Sequence, residues 1–125
     1  MDNPMLLSPA TLAFVGDAVY ELLVRKHISS VERPVGELHK LAVDFVNANS
    51  QAKAFDCIKD MLTEKEMSVY KRGRNNHVSQ IPKNSTTANY HSATGLEALF
   101  GYLSLSNQEN RINELFEVIC NTLFG

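Results

Sequence analysis

The spacing of apolar residues is helical along nearly the whole chain, and this pattern limits the fold more than any other feature. Apolar residues recur every three or four positions, which places them on one face of a helix. Near the amino terminus they are Leu12, Val15, Val19 and Leu23. The alternation of apolar and polar residues that is typical of a strand is missing. The sequence therefore predicts an all-α fold.

Capping signals predict where the first helices begin. Ser8 followed by Pro9 indicates a helix start, because a serine hydroxyl caps well and proline suits the first helical position. This helix is expected to run to about His27. Pro34 predicts the start of a second helix, and a break at residues 47–50 separates it from a third.

The second half of the chain predicts three more helices. Thr63 and Glu66 have the spacing of a capping box, so a fourth helix should begin there and stop near Gly73. Residues 74–85 form the longest predicted loop, and long loops in compact domains are often functional. A last helix begins at about Asn107. A fifth helix is expected between this loop and the last helix, and its candidate caps are Ser85, Thr86 and Thr87.

Length and composition exclude several classes of protein. The 125 residues suit one domain, 1–125, and 44% apolar residues suffice for a core, which argues against disorder. No apolar run approaches the roughly 18 residues that span a bilayer, and the first ten residues lack an export signal. We therefore expect a cytoplasmic protein without membrane contact. Its cysteines, Cys57 and Cys120, suit reduced thiols better than a disulfide scaffold or a zinc cluster.

Charge is distributed unevenly along the chain. The thirty residues from 67 to 96 contain no acidic side chain, whereas the remainder holds eight basic and fourteen acidic residues. The basic residues of the acid-free segment are Lys71, Arg72, Arg74 and Lys83. Charge alone leaves two interpretations open: a segment that binds a polyanion, or a solvated loop that lacks acids.

Three glycines lie inside predicted helices, where each costs about 1 kcal/mol relative to alanine. They are Gly16, Gly95 and Gly101. Glycine suits a place where two helix backbones approach closely. We therefore expect the first and fifth helices to pack tightly and to bring Asp17 and Glu97 together. The alternative is that the glycines only accommodate bulky neighbours such as Phe14 or Phe100.

Asp17 and Glu97 both interrupt apolar sequence. Carboxylates are rarely buried unless they are paired or bind a metal. Two converging carboxylates would repel, and a divalent cation would remove that repulsion; oxygen ligands suit Mg²⁺ or Mn²⁺. Spacing alone favours a solvated position at the edge of each helix over a shared metal site.

Taken in order, several segments resemble the catalytic domain of ribonuclease III. Residues 12–21 (LAFVGDAVYE) resemble its signature helix, and residues 94–103 (TGLEALFGYL) resemble its second acidic helix. Between them, residues 71–75 (KRGRN) and 82–84 (PKN) resemble the loop of the Mini-ribonuclease III subfamily. The resemblance covers about residues 6–124.

Departures from full-length ribonuclease III also fit that subfamily. The family has glutamates one and two turns before its aspartate, where this sequence has Ala13 and Ala10. It has an aspartate three residues before its glutamate, where this sequence has Thr94. We also expect this protein to lack the double-stranded-RNA-binding domain of the longer enzymes.

The resemblance implies a homodimeric helical bundle of the ribonuclease III endonuclease type that cuts double-stranded RNA. It implies that the substrate is the precursor of 23S ribosomal RNA, processed at its 5′ and 3′ ends in ribosome biogenesis, with a large-subunit ribosomal protein as an assisting partner. Asp17 and Glu97 would be the catalytic residues and the ligands of Mg²⁺, for which Mn²⁺ could substitute. The expected RNA contacts are Lys71, Arg72, Arg74, Asn75, Lys83 and Asn84.

Two other functions stay open from the sequence. One is a non-catalytic RNA-binding module with the same fold, which the missing carboxylates would suit. The other is a helical dimerisation or scaffold protein without an RNA role. The retained Asp17 and Glu97 argue against the first, and the acid-free basic segment argues against the second.

Overall fold

The computed structural model describes residues 3–76 and 86–124, and these ranges are almost entirely helical. Single 3₁₀ turns lie at Pro4–Leu6 and Lys59–Met61, and a π-helical turn lies at Cys120–Phe124. No strand occurs in the described ranges, so the predicted all-α fold is confirmed. Within them, no helix has the length and apolar character needed to cross a membrane. The α-helices are α1 (Pro9–Ile28), α2 (Val35–Phe45), α3 (Ala48–Ile58), α4 (Glu64–Arg74), α5 (Thr87–Leu105) and α6 (Glu109–Ile119).

Side-chain caps start three helices where the sequence predicts them. The Ser8 hydroxyl accepts a hydrogen bond of 3.1 Å from the backbone of the third residue of α1. Thr63 and Glu66 form both halves of a capping box, with bonds of 3.1 and 2.9 Å. Of the candidate caps before α5, Thr86 accepts the capping hydrogen bond, at 3.1 Å.

Two predicted boundaries differ from the structure. The break expected at residues 47–50 is shorter, because the Asn47 side chain caps α3 and lets that helix begin at Ala48. Gly73 was expected just past the end of a helix, but it lies inside α4, which continues to Arg74. The reason for a glycine at this position is packing, described below.

Helix α5 is the central element of the bundle. It packs against α1, α3 and α4, and all residues from 98 to 103 are buried. Its apolar side chains Leu96, Leu99 and Phe100 have no exposed surface. Fully burying a side chain of this kind stabilises the fold by about 1.5–3 kcal/mol. Tyr20 of α1 meets Phe100 edge to face, with ring centroids 5.5 Å apart.

Helices α1 and α5 touch through their backbones. A Cβ atom added to Gly16 would overlap the carbonyl oxygen of Glu97, and one added to Gly101 would overlap the carbonyl oxygen of Leu12. The two glycines also face each other, since the added Cβ of Gly16 would lie 2.8 Å from the Gly101 nitrogen. The predicted close packing of the first and fifth helices is therefore confirmed.

A second glycine contact joins α4 to α5. Gly73 lies against Gly95 and Ala98, and a Cβ added to Gly95 would approach within 2.7 Å of the Tyr70 ring. Gly95 was expected to serve the contact between the first and fifth helices, but it faces α4 instead. The chain thus uses one pair of glycines on each side of α5.

A buried ion pair ties α6 to the start of α4. Arg111 donates to both carboxylate oxygens of Glu66, at 2.8 and 2.9 Å, and to the carbonyl oxygen of Met61 at 2.7 Å. The two-point geometry fixes the direction of both side chains. Glu66 is one of two polar or charged residues in the described ranges that are classed as buried, and this arginine satisfies it.

Gly16→Ala should destabilise the fold by about 3 kcal/mol, because its methyl group would force two helix backbones apart. Urea unfolding followed by circular dichroism measures this loss.

Gly36→Ala is the matched control, because Gly36 lies in α2 with nothing within 4 Å of an added Cβ. It should raise the free energy of unfolding by about 0.5–1 kcal/mol, since alanine favours a helix. Equal stability of Gly16→Ala and the unchanged protein would contradict the backbone contact.

Candidate active site

The helix contact at Gly16 brings two carboxyl groups together. Asp17 follows Gly16 in α1, and Gly16 touches the backbone of Glu97 in α5. The carboxyl groups of Asp17 and Glu97 come within hydrogen-bond reach of each other. The predicted convergence is confirmed. Asp17 keeps the solvated position expected at a helix edge, whereas Glu97 is half-buried.

The environment of Glu97 disfavours its negative charge. Burial is the largest cause and the charge of Asp17 is the second, and together they raise the pKa of Glu97 to about 8. Asp17 itself is exposed, so the pair has an open side and a buried side. Bringing two carboxylates together in this way is unfavourable unless a cation or a proton lies between them.

Gln51 is the polar partner of the half-buried Glu97. It lies in α3, is only 4% exposed, and donates from Nε2 to Oε2 of Glu97 at 3.2 Å. Sequence reasoning missed it. One signal was present, because Gln51 has the i, i+4, i+7 spacing with Phe55 and Ile58 and therefore shares the apolar face of its helix.

The other positions near the pair that could supply an acid do not add a free carboxylate to it. Glu21, one turn after Asp17, forms an ion pair of 2.9 Å with Arg25. Ala13 is buried, and Thr94 donates its hydroxyl to the carbonyl oxygen of Tyr90 at 3.0 Å. Across residues 3–76 and 86–124, no group of three or more His, Cys, Asp or Glu could hold a metal ion.

Two carboxylates fit Mg²⁺ better than most metals. Mg²⁺ keeps several waters and commonly takes one or two protein carboxylates together with phosphate oxygens of a substrate. Asp17 and Glu97 supply this donor set, and the unfavourable charge of the pair would be relieved by a cation. A transition metal that needs nitrogen or sulfur ligands does not fit this pair of oxygen donors.

Four of the six predicted RNA-contact residues lie at the end of α4, where Gly73 packs against Gly95 and Ala98 of α5. Lys71 and Asn75 are exposed. Arg74 is the last residue of α4 and lies 5.7 Å from the centroid of the Tyr70 ring. Lys83 and Asn84 lie outside the described residues.

Arg72 has a different set of contacts from its neighbours. Its guanidinium donates to the carbonyl oxygens of Met5 at 3.1 Å and Leu7 at 2.9 Å. These bonds fasten the amino-terminal 3₁₀ turn to α4. The geometry therefore gives Arg72 a structural role, and its contact with RNA stays a prediction.

An exposed apolar surface adjoins Asp17. Phe14 is 81% exposed and Leu22 is 54% exposed. Phe14 and Leu22 lie two helical turns apart on the same face of α1, with Ala18 between them. A surface cavity of about 580 Å³ beside Asp17 is lined by this part of α1. Together, these exposed apolar side chains on one face of α1 form a candidate interaction surface.

Comparisons with known proteins identify the family of this chain. The ribonuclease III domain family matches residues 10–108. The chain is 38% identical to the Mini-ribonuclease 3 of Clostridium tetani over 92% of this chain and 78% of that protein. It is 42% identical to the Mini-ribonuclease 3 of a Thermoanaerobacter species, over 94% of this chain and 83% of that protein.

The fold has a solved relative as well. A crystal structure of a Fusobacterium nucleatum protein superposes with a TM-score of 0.87 at 30% identity and covers 93% of both chains. The two acidic helices predicted from the sequence both lie within the matched family region, residues 10–108. This chain therefore belongs to the ribonuclease III family, in its Mini-ribonuclease III branch.

Proposed function

We propose that this ribonuclease III-type endoribonuclease cuts double-stranded RNA with the help of Mg²⁺ held by Asp17 and Glu97. Its proposed substrate is the precursor of 23S ribosomal RNA, cut near its paired ends in the cytoplasm during ribosome biogenesis. A large-subunit ribosomal protein is the proposed assisting partner. The observation that carries the catalytic part is the meeting of two carboxyl groups on one partly buried site.

The two acids of the site differ in their exposure to solvent, so we assign them different roles. Asp17 is exposed and faces the approaching substrate, whereas Glu97 lies deeper and is held by Gln51. Mg²⁺, when bound, neutralises charge on the phosphate oxygens and lowers the pKa of a coordinated water. In the reaction, a water oxygen bonds to phosphorus and the bond from phosphorus to the 3′-oxygen breaks. The 3′-oxygen takes a proton, which leaves a 5′-phosphate and a 3′-hydroxyl.

Asp17→Asn should lower the cleavage rate at least about 100-fold and leave RNA affinity nearly unchanged, because it removes a cation ligand but no basic residue. Gel assays of duplex cleavage and filter binding of the same RNA measure the two quantities. EDTA should stop cleavage by the unchanged protein, and added Mg²⁺ or Mn²⁺ should restore it.

The matched control is Asp56→Asn. Asp56 is exposed on α3, where its nearest ion-pair partner is Lys59 at 3.7 Å. This variant should cut like the unchanged protein. Wild-type rates from Asp17→Asn would refute the catalytic assignment. An unchanged protein that binds duplex RNA but never cuts it would favour the non-catalytic RNA-binding module.

RNA affinity is proposed to come from the basic end of α4. A chain with net charge −2 cannot hold a polyanion through its overall charge, so a local cluster must do so. Lys71 and Arg74 are the proposed phosphate contacts, and Asn75 could reach a 2′-hydroxyl across the minor groove. Lys83 and Asn84 remain predicted contacts from the sequence.

The double variant Lys71→Ala with Arg74→Ala should weaken RNA binding and reduce the slope of log affinity against log salt by roughly 2, because each lost phosphate contact contributes about 1. Fluorescence anisotropy at several salt concentrations measures the slope. Lys26→Ala with Lys59→Ala removes the same charge from other surfaces and should leave the slope unchanged. A normal slope for the first variant would mean that RNA binds elsewhere.

A homodimer is the proposed assembly. The apolar strip of Phe14, Ala18 and Leu22 adjoins Asp17 on α1, so a second copy packed there would put two acid pairs beside one groove. Two such sites would let each subunit cut one strand of a duplex.

Phe14→Glu should convert the dimer into a monomer, because it replaces the largest exposed side chain of the apolar strip with a charged one. Light scattering after gel filtration measures the mass, which should be twice that of the chain before substitution. Val31→Glu changes another exposed apolar residue, 55% exposed in the connection after α1, and should stay dimeric. A monomeric unchanged protein would overturn the paired-site arrangement.

A further inference from the structure

Gln51 is buried without a structural reason of its own. In the described ranges, the buried polar or charged residues are Gln51, which is 4% exposed, and Glu66, which is 5% exposed. Glu66 is explained by its capping box and by Arg111. Burying an amide costs free energy unless it forms hydrogen bonds, and the bond of Gln51 leads directly to the candidate site.

The bond has a defined direction. A carboxylate only accepts hydrogen bonds, so the amide must present its nitrogen, and Nε2 of Gln51 lies 3.2 Å from Oε2 of Glu97. The two residues are 46 positions apart and join α3 to α5. One carboxylate oxygen of Glu97 is thereby engaged from the α3 side, while the same group reaches Asp17 of α1.

The position of Glu97 makes such a partner necessary. Its backbone is fixed by the contact with Gly16, but its side chain is long enough to rotate. A side chain that hydrogen-bonds to a metal-ligating carboxylate fixes the orientation of that carboxylate. Losing such a partner typically lowers metal affinity by about 10–100-fold.

We propose that Gln51 is a positioning residue that orients the Glu97 carboxylate for a divalent cation shared with Asp17. This inference rests on the proposed function and adds a residue to it. Gln51 acts through Glu97 and contacts neither the RNA nor the reacting phosphate.

Two substitutions of Gln51 remove its hydrogen bond to Glu97 by different means. Gln51→Met has nearly the same size but no donor, and Gln51→Asn keeps an amide that is one methylene too short. Both lose the 3.2 Å bond, so either one that folds tests the proposal. Circular dichroism and thermal unfolding establish which variants are folded.

The main measurement is binding of Mn²⁺ to the RNA-free protein, followed by calorimetry or electron paramagnetic resonance. Each folded variant should bind Mn²⁺ about 10-fold more weakly or worse. In cleavage assays, the Mg²⁺ concentration for half-maximal rate should rise by a similar factor, while RNA affinity stays unchanged. A merely structural role would alter unfolding without changing the cation requirement.

Two controls separate the possible failures. Gln108→Met changes a glutamine whose amide donates to Ser106 at 2.8 Å in the turn after α5, and it should bind Mn²⁺ normally. Asp17→Asn should weaken Mn²⁺ binding. If Asp17→Asn binds weakly but both Gln51 variants bind normally, the role of Gln51 is wrong and the proposed function stands. If Asp17→Asn also binds normally, the cation site itself is wrong.

Discussion

The contact between the backbones of α1 and α5 is the constraint on which the rest of the structure depends. Gly16 and Gly101 leave no side chain between the two helices, so the peptide group of Glu97 lies directly against the residue that precedes Asp17. Any ordinary helix packing, with axes 8–10 Å apart, would separate the two carboxyl groups further. The close approach converts two distant positions in the sequence into one site, and it does so with backbone atoms that cannot rotate away.

The well-packed fold holds the carboxyl groups of Asp17 and Glu97 close together, although this proximity is electrostatically unfavourable. The core around α5 is apolar, and the removal of Glu97 from water beside Asp17 raises the pKa of its carboxyl group. Among the contacts that act on Glu97, the bond from Gln51 opposes this effect. Such local conflict is typical of functional sites, where the surrounding structure maintains groups that would otherwise move apart.

Local signals made much of the fold predictable. The caps at Ser8 and Thr63 depend on neighbouring residues, and the structure confirms them. The apolar period of α1 indicated a helix but not its buried face, because Val15, Val19 and Leu23 are only partly buried, whereas Gly16, Tyr20 and Val24 face the core. The convergence of Asp17 and Glu97 was predictable because glycine inside a helix needs a reason. Whether these acids bind a cation and cleave RNA stays a prediction.

Long-range pairs were not predictable in this way. The bond of Gln51 to Glu97 joins residues 46 apart, and the Arg111–Glu66 pair joins residues 45 apart. Nothing local specifies either partner. Arg72 belonged to a basic cluster in the sequence, but only the fold reveals that carbonyl oxygens of the amino-terminal turn engage it. Gly73 looked like a helix end because its partner, Gly95, is distant in sequence.

Because Gly16 and Gly101 hold both the helix packing and the acid pair, a substitution at either glycine affects the stability of the fold and the activity of the site together. A screen that scores only loss of activity would recover substitutions at Gly16 or Gly101 alongside those at the acids, although the underlying defects differ. Measuring the amount of folded protein in the same cells distinguishes the two groups. We expect few substitutions to be tolerated at these glycines, because even one added methyl group changes the backbone spacing and the geometry of the acid pair together.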